Sequence, residues 1–130
     1  MDKVRVFALG GLSENGKNMY CVEVNDVIFV IEAGIMIPEA TLLGVEFIIP
    51  DFTYLIENKE RVGGIFITHA HDDVMRALPY LLKQIDAPVY TGKFTSLLLE
   101  DIMVKEHVKN YNINVIPRTH RLIIRGIEVR

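Results

Sequence analysis

Ile65-Phe66-Ile67-Thr68-His69-Ala70-His71-Asp72-Asp73-Val74 is the stretch on which the reading of this chain turns. Ile65 to Ile67 are β-branched or aromatic and apolar at consecutive positions, introduced by Gly63-Gly64, which predicts a short strand buried on both faces. Beyond the polar residues the spacing changes: Leu78, Leu81, Leu82 and Ile85 fall on one face of a helix, with Pro79 tolerable in its first turn. The cluster His69-Ala70-His71-Asp72-Asp73 therefore sits on a strand-to-helix loop, where ligands gather in open α/β sheets.

His69 and His71, two positions apart in an extended loop, can turn both rings the same way, because side chains along an extended chain alternate with period two. Neutral imidazole is a common zinc ligand, and the nearby Asp73 carboxylate can hold a second metal or contact an attacking water. Two metals a few Å apart lower the pKa of a bridging water and stabilise both attacking and leaving oxygens, which suits phosphodiester hydrolysis. An isolated His-x-His also has a blander explanation, two solvated loop histidines with Asp72 or Asp73 capping the following helix. The strand-loop-helix context favours the metal site at His69, His71 and Asp73.

Outward from this centre, Val4 to Leu9 predicts a strand that ends at Gly10-Gly11. Met19 to Val24 and Val27 to Ile31 predict a hairpin around Asn25-Asp26, a pair that tolerates the positive φ of a tight turn. Ala33-Gly34 breaks the second strand, and residues 35–50, with Pro38 and Pro50 near their edges, resemble a packed loop. Asp51 or Thr53 can cap a short helix to about Glu60. Val89-Tyr90 predicts a strand, Phe94 to Val108 an amphipathic helix, and Ile113 to Ile116 and Leu122 to Val129 further strands. The class is α/β, in the α+β sense: a mixed sheet with helices on one face, and too few strands for a second complete sheet. Glu14, Gly16 and Lys17 fit either a phosphate-approaching glycine loop or a plain tight connection.

The composition, 130 residues with 50% hydrophobic and 24% charged, is that of one globular domain at most. No apolar run approaches the roughly 20 residues of a membrane span, and the N-terminus enters a strand-like pattern without a signal-peptide core, so no membrane association and a cytoplasmic location are expected. Cys21 stands alone, which excludes an intrachain disulfide or a cysteine-rich zinc site; any metal must use His and carboxylate. A net charge of -3 argues against a small basic nucleic-acid module. Six Lys or Arg against three acids from Asp101 onward are read as an ordinary solvated face.

The string HAHDDV resembles the metallo-β-lactamase-fold signature H-x-H-x-D-H, and flanking segments sharpen the likeness. Gly10-Gly11-Leu12-Ser13-Glu14-Asn15-Gly16-Lys17-Asn18-Met19-Tyr20, Glu32-Ala33-Gly34, Leu43-Gly44-Val45, Ile49-Pro50-Asp51 and Leu78-Pro79-Tyr80-Leu81-Leu82 together resemble the ribonuclease J family, the bacterial RNA-processing group with a β-CASP insertion. The resemblance spans essentially the whole chain. It implies an αββα sandwich, of which residues 1–130 form the first half and the N-terminal part of a metallo-β-lactamase-like domain, with the β-CASP and C-terminal domains outside it. It also implies two zinc ions in the family and RNA degraded from a 5′-monophosphate end or cut internally.

Carried over by position, His69 and His71 match ligands of one metal, and Asp73 a ligand of the other with a catalytic role in handling the water proton. The final motif histidine is Val74 here, and an isopropyl group coordinates no metal, so zero or one zinc is expected. Arg76-Ala77 puts a bulky cation where small residues usually stand, and Glu32 replaces the family's aspartate with one methylene more. His107 and His120 match no ligand and are expected at the surface; no RNA- or phosphate-binding residue can be assigned. The expected protein is a catalytically impaired ribonuclease J-like paralogue that acts on RNA beside an active partner, the chain alone being inactive. Two alternatives stand beside it: an active metal-dependent ribonuclease, and a non-catalytic fragment whose open sheet self-associates.

Overall fold

The computed structural model describes residues 1–130. β1 (Val4–Gly10), β2 (Met19–Val24) and β3 (Val27–Ile31) form an antiparallel meander, and β4 (Val62–Ile67), β5 (Val89–Thr91) and β6 (Ile113–Val115) add in parallel to give one six-stranded mixed sheet in that order. The β2–β3 turn is the two-residue kind expected: Val24 pairs with Val27, and Asn25 takes φ 55° while its Oδ1 accepts the Lys3 N–H at 2.9 Å.

Helices cover one face: α1 (Thr53–Glu57), followed by a single 3-10 turn (Lys59–Arg61), α2 (Asp72–Met75), α3 (Leu78–Leu82) and α4 (Lys93–Lys105). Cys21, Ile28, Val30, Ile65, Ile67 and Val89 from the sheet meet Leu55, Leu78, Leu81, Leu99 and Met103 from the helices in the main core cluster. Full burial of each large aliphatic side chain is worth about 1.5–3 kcal/mol. The same face buries Glu23, whose carboxylate accepts the Tyr54 hydroxyl and pairs with Arg61 at 3.2 Å and Arg5 at 3.6 Å. Burial by itself would raise this carboxyl; the Tyr54 hydrogen bond and the two arginines outweigh it and hold Glu23 below the ordinary glutamate value.

The opposite face carries an aromatic row across three strands, Phe29, Phe66 and Tyr90, with ring centroids 6.2 and 5.1 Å apart. A separate hairpin, β7 (Leu122–Ile124) and β8 (Ile127–Val129), covers part of it, with Ile127 and Val129 facing Val22, Val24, Phe29, Ile31 and Phe66. Val4 and Val6, on the same face of β1, stay 58% and 72% exposed.

Five elements differ from those the sequence predicts; Leu122 to Val129, expected as one strand, turns back at Arg125-Gly126, both at positive φ, into β7 and β8. Gly63 and Gly64 lie inside β4 instead of preceding it, because the space above each is taken: a Cβ on Gly64 would fall 2.9 Å from the Tyr90 ring, and one on Gly63 2.7 Å from Val27 Cγ1. The helix expected after the loop is split, since the Ala77 N–H donates to the Ala33 carbonyl at 2.8 Å, outside the helix ladder. Asp51 Oδ1 accepts the N–H and hydroxyl of Thr53, but α1 stops at Glu57 and the 3-10 turn completes the span. His107 ends α4 at φ 59°, with its N–H on Val104 O and the Val108 N–H on Met103 O, the paired bonds of a Schellman stop.

Candidate metal centre

β4 delivers Thr68 to His71 at its C-terminal end, and α2 begins at Asp72. His71 holds the N-cap position in extended backbone, with no side-chain cap bond, and Asp72 and Asp73 lie in the first turn. The aspartate cap allowed by the blander explanation is therefore not what is built. One ligand atom each from His69, His71 and Asp73 lies within 4.8 Å of the other two, and the histidine rings sit edge to face with centroids 4.7 Å apart. Tetrahedral zinc bonds of about 2.0–2.1 Å place ligand atoms about 3.3 Å apart, so small side-chain rotations close this set around one ion. Two imidazoles and a carboxylate are a donor set that zinc accepts.

Asn18, just before β2, and the loop after β3 hold the backbone of this segment. Asp73 O accepts both the Asn18 N–H at 3.1 Å and Asn18 Nδ2 at 3.0 Å. The Ala33 N–H donates to Val74 O at 2.7 Å and the Ile35 N–H to Asp72 O at 3.0 Å. Between them Gly34 packs so tightly that an added Cβ would lie 1.6 Å from Asp73 O. Three successive α2 carbonyls are thus fixed from outside the helix, which a four-residue helix needs more than a long one.

Glu32 supports the loop from below. Its backbone sits in the left-handed region at φ 70° and its side chain is buried. The carboxylate accepts the Thr68 N–H at 2.8 Å on one oxygen and the Thr68 hydroxyl at 3.0 Å on the other. The same hydroxyl lies 2.7 Å from His69 Nδ1, whereas His69 Nδ1 and the nearest Glu32 oxygen are 4.0 Å apart. Burial raises the Glu32 carboxyl above the usual glutamate value, against the two Thr68 hydrogen bonds. Glu32, one methylene longer than the family's aspartate, makes its hydrogen-bonded link to His69 through the Thr68 hydroxyl.

The remaining candidates divide. Val74 is buried, 5% exposed, and lies outside the main core cluster, beside the segment whose carbonyls are held. Arg76 lies in a groove with Leu98, Asp101, Lys105 and Glu106 along α4 and its C-terminal end, and reaches Asp72 Oδ1 at 3.9 Å. Lys17 pairs with Glu14 at 3.4 Å, Glu14 also accepts the Gly11 N–H, and a Cβ on Gly16 would lie 3.0 Å from Ile35 O; the loop is a tight connection. His107 and His120 are exposed and join no ligand group. Asn18 and Thr68 went unrecognised as site residues; a hydroxyl preceding His69 was the available signal for Thr68.

A mixed sheet under helices on one face, with a His-x-His-x-Asp loop leaving a central parallel strand, defines a metallo-β-lactamase-fold protein. Solved structures agree on the fold: human tRNase Z short form (TM-score 0.55, 19% identity, 92% of this chain and 47% of that one) and Zn(2+)-bound PqqB from Methylobacterium extorquens (0.59, 10%, 94% and 51%). Within that class the chain is a homologue of ribonuclease J. It is 49% identical over 115 residues to Ribonuclease J 2 of Staphylococcus epidermidis, 47% to that of Staphylococcus saprophyticus and 44% to that of Staphylococcus aureus, in each case over 85% of this chain and 21% of the relative. The matched region thus spans about a fifth of the length of these curated relatives. No family model matches the chain.

Proposed function

We propose that this chain is the N-terminal part of a metallo-β-lactamase-like domain in a ribonuclease J-like protein of RNA maturation and decay, and that its two-metal site is degenerate. The observation that carries the reading is the convergence of His69, His71 and Asp73 within 4.8 Å while Val74, at the last motif position, offers a buried isopropyl group. His69 and His71 would hold one divalent cation, zinc being the expected one, with Asp73 as the ligand left to a second, and a bound cation there would supply hydroxide at neutral pH and charge stabilisation for phosphodiester cleavage. The Asp73 carboxylate would accept a proton from the attacking water, and Val74 leaves the second cation without the imidazole that the family's motif supplies. The protein then acts on RNA in the cytoplasm beside an active ribonuclease J-type paralogue.

Two observations support other readings. The three donors lie within 4.8 Å of one another, close enough to share one ion, which favours a working single-metal ribonuclease. The uncovered Val4 and Val6 favour a self-associating module in which a second copy, or further chain of the same protein, covers the sheet. Cleavage of a 5′-monophosphorylated RNA by the full-length protein, with zinc or manganese, separates them. Activity that appears only in Val74→His supports the degenerate site, and activity in the unmodified protein that His71→Ala abolishes overturns it. No cleavage by either form, with concentration-dependent oligomers, leaves the structural module standing.

A further inference from the structure

The geometry points to Thr68 as a positioning residue: its hydroxyl, held by the Glu32 carboxylate, locks His69 in the Nδ1–H tautomer and so leaves Nε2 as the nitrogen open to a cation. An ionised carboxylate only accepts, and Glu32 has one Thr68 donor on each oxygen, the N–H at 2.8 Å and the hydroxyl at 3.0 Å. A hydroxyl has one proton, so Thr68 Oγ1 cannot also donate to His69 Nδ1 at 2.7 Å. That contact must run the other way, with Nδ1–H donating to Oγ1. The direct distance from His69 Nδ1 to Glu32, 4.0 Å, is too long for the carboxylate to set the tautomer without the hydroxyl between them.

The assignment explains two features that otherwise stand apart. Glu32 occupies a left-handed conformation that costs about 1–3 kcal/mol for a residue with a side chain. That backbone lets the Glu32 N–H complete the parallel ladder to Phe66 O at 2.9 Å while the carboxylate turns under Thr68. The Thr68 hydroxyl also takes up His69 Nδ1, a role that carboxylates and carbonyls usually fill directly beside metal-bound histidines. The consequence for metal rests on reading His69 as a ligand; the proton arrangement does not.

The test is long-range 1H–15N correlation of the histidine rings in the metal-free protein at about pH 8, with exposed His107 and His120 as references. His69 is expected as Nδ1–H in the unmodified protein and in Thr68→Ser. Thr68→Val removes the acceptor and should abolish the preference. Glu32→Gln should invert it, because the amide can donate to Thr68 Oγ1 and free the hydroxyl proton for Nδ1. An Nε2–H tautomer in the unmodified protein, or one unchanged by Thr68→Val with Thr68→Ser folded, overturns the inference. Zinc titration of the same samples should show Thr68→Val binding about 10–100-fold more weakly. Absence of any zinc binding alongside the expected tautomers would sink the metal reading and leave the role of Thr68 intact.

Discussion

Gly34 and Asp73 approach so closely that no side chain fits between them: a Cβ on Gly34 would sit 1.6 Å from the Asp73 carbonyl oxygen and 2.6 Å from the Val74 nitrogen. Both neighbours are backbone, so neither can rotate away. Gly34→Ala is therefore expected to cost at least about 3 kcal/mol, the upper end of overpacking penalties, measured as a lower urea midpoint. An unchanged midpoint would mean that the loop over α2 is free to lift.

Val74→His should raise the number of zinc ions retained after dialysis, because it adds an imidazole beside the Asp73 carboxylate. His71→Ala should weaken the first ion by more than about 100-fold, beyond the usual effect of losing a residue behind a ligand. Inductively coupled plasma measurements on the two variants check both; equal stoichiometry in Val74→His and the unmodified protein would mean that position 74 points away from the site.

Cys21 is fully buried, and its thiol is pushed up to about 12 by burial, with the Glu23 charge adding to it. At about pH 8 an aromatic disulfide reagent should leave the native protein unlabelled and react at the rate of a free thiol in denaturant. Fast labelling of the native state would mean that the edge strand β1 opens away from β2 in the folded protein.

Glu23 gives stability a defined pH dependence. Its folded-state pKa is depressed, so the stabilisation is complete above the ordinary glutamate value and is lost as pH falls through the lower folded value. Tyr54→Phe removes the hydroxyl that Glu23 accepts and should cost about 2 kcal/mol near pH 7, a typical value for a hydrogen bond to a charged group. The difference between the two proteins should shrink as the solution is acidified below pH ~4. A penalty independent of pH would assign the effect to the edge-to-face packing of Tyr54 on Phe7 at 5.1 Å.

Val6 stands in the middle of β1, exposed and on the apolar side of the sheet. If copies of the chain cover that face for one another, Val6→Lys should shift sedimentation toward the monomer by placing a charge where the partner would pack. A chain that sediments as a monomer at every concentration tested would remove the self-associating reading.

Much of this architecture is local and was legible for that reason. The β2–β3 hairpin follows from alternation and Asn25-Asp26, and the His69 to Asp73 loop follows from a strand pattern giving way to a helical one. What the sequence hid is what depends on distant chain. Asn18 meets Asp73 across 55 positions, Glu32 meets Thr68 across 36, and no periodicity encodes either pair. Gly34 reads as a strand breaker in one dimension and becomes a close-packing requirement only when α2 lies over it. Gly63-Gly64 misled in the same way, as flexible punctuation where neighbouring side chains leave no room for more.

The parallel pairing of β3 with β4 also sets an order of events in time. β1, β2 and β3 can zip from one end through a two-residue turn, whereas β4 must return across the whole segment from Glu32 to Arg61 before Ile31 finds Phe66. Closing that long loop is entropically slow, so the contacts between Glu32 and Thr68 form late in folding. In a pulse of hydrogen exchange during refolding, the amides of β2 should become protected before that of Thr68. A nascent chain paused between the two events has a finished meander while the Glu32 support for the His69 loop is still unmade.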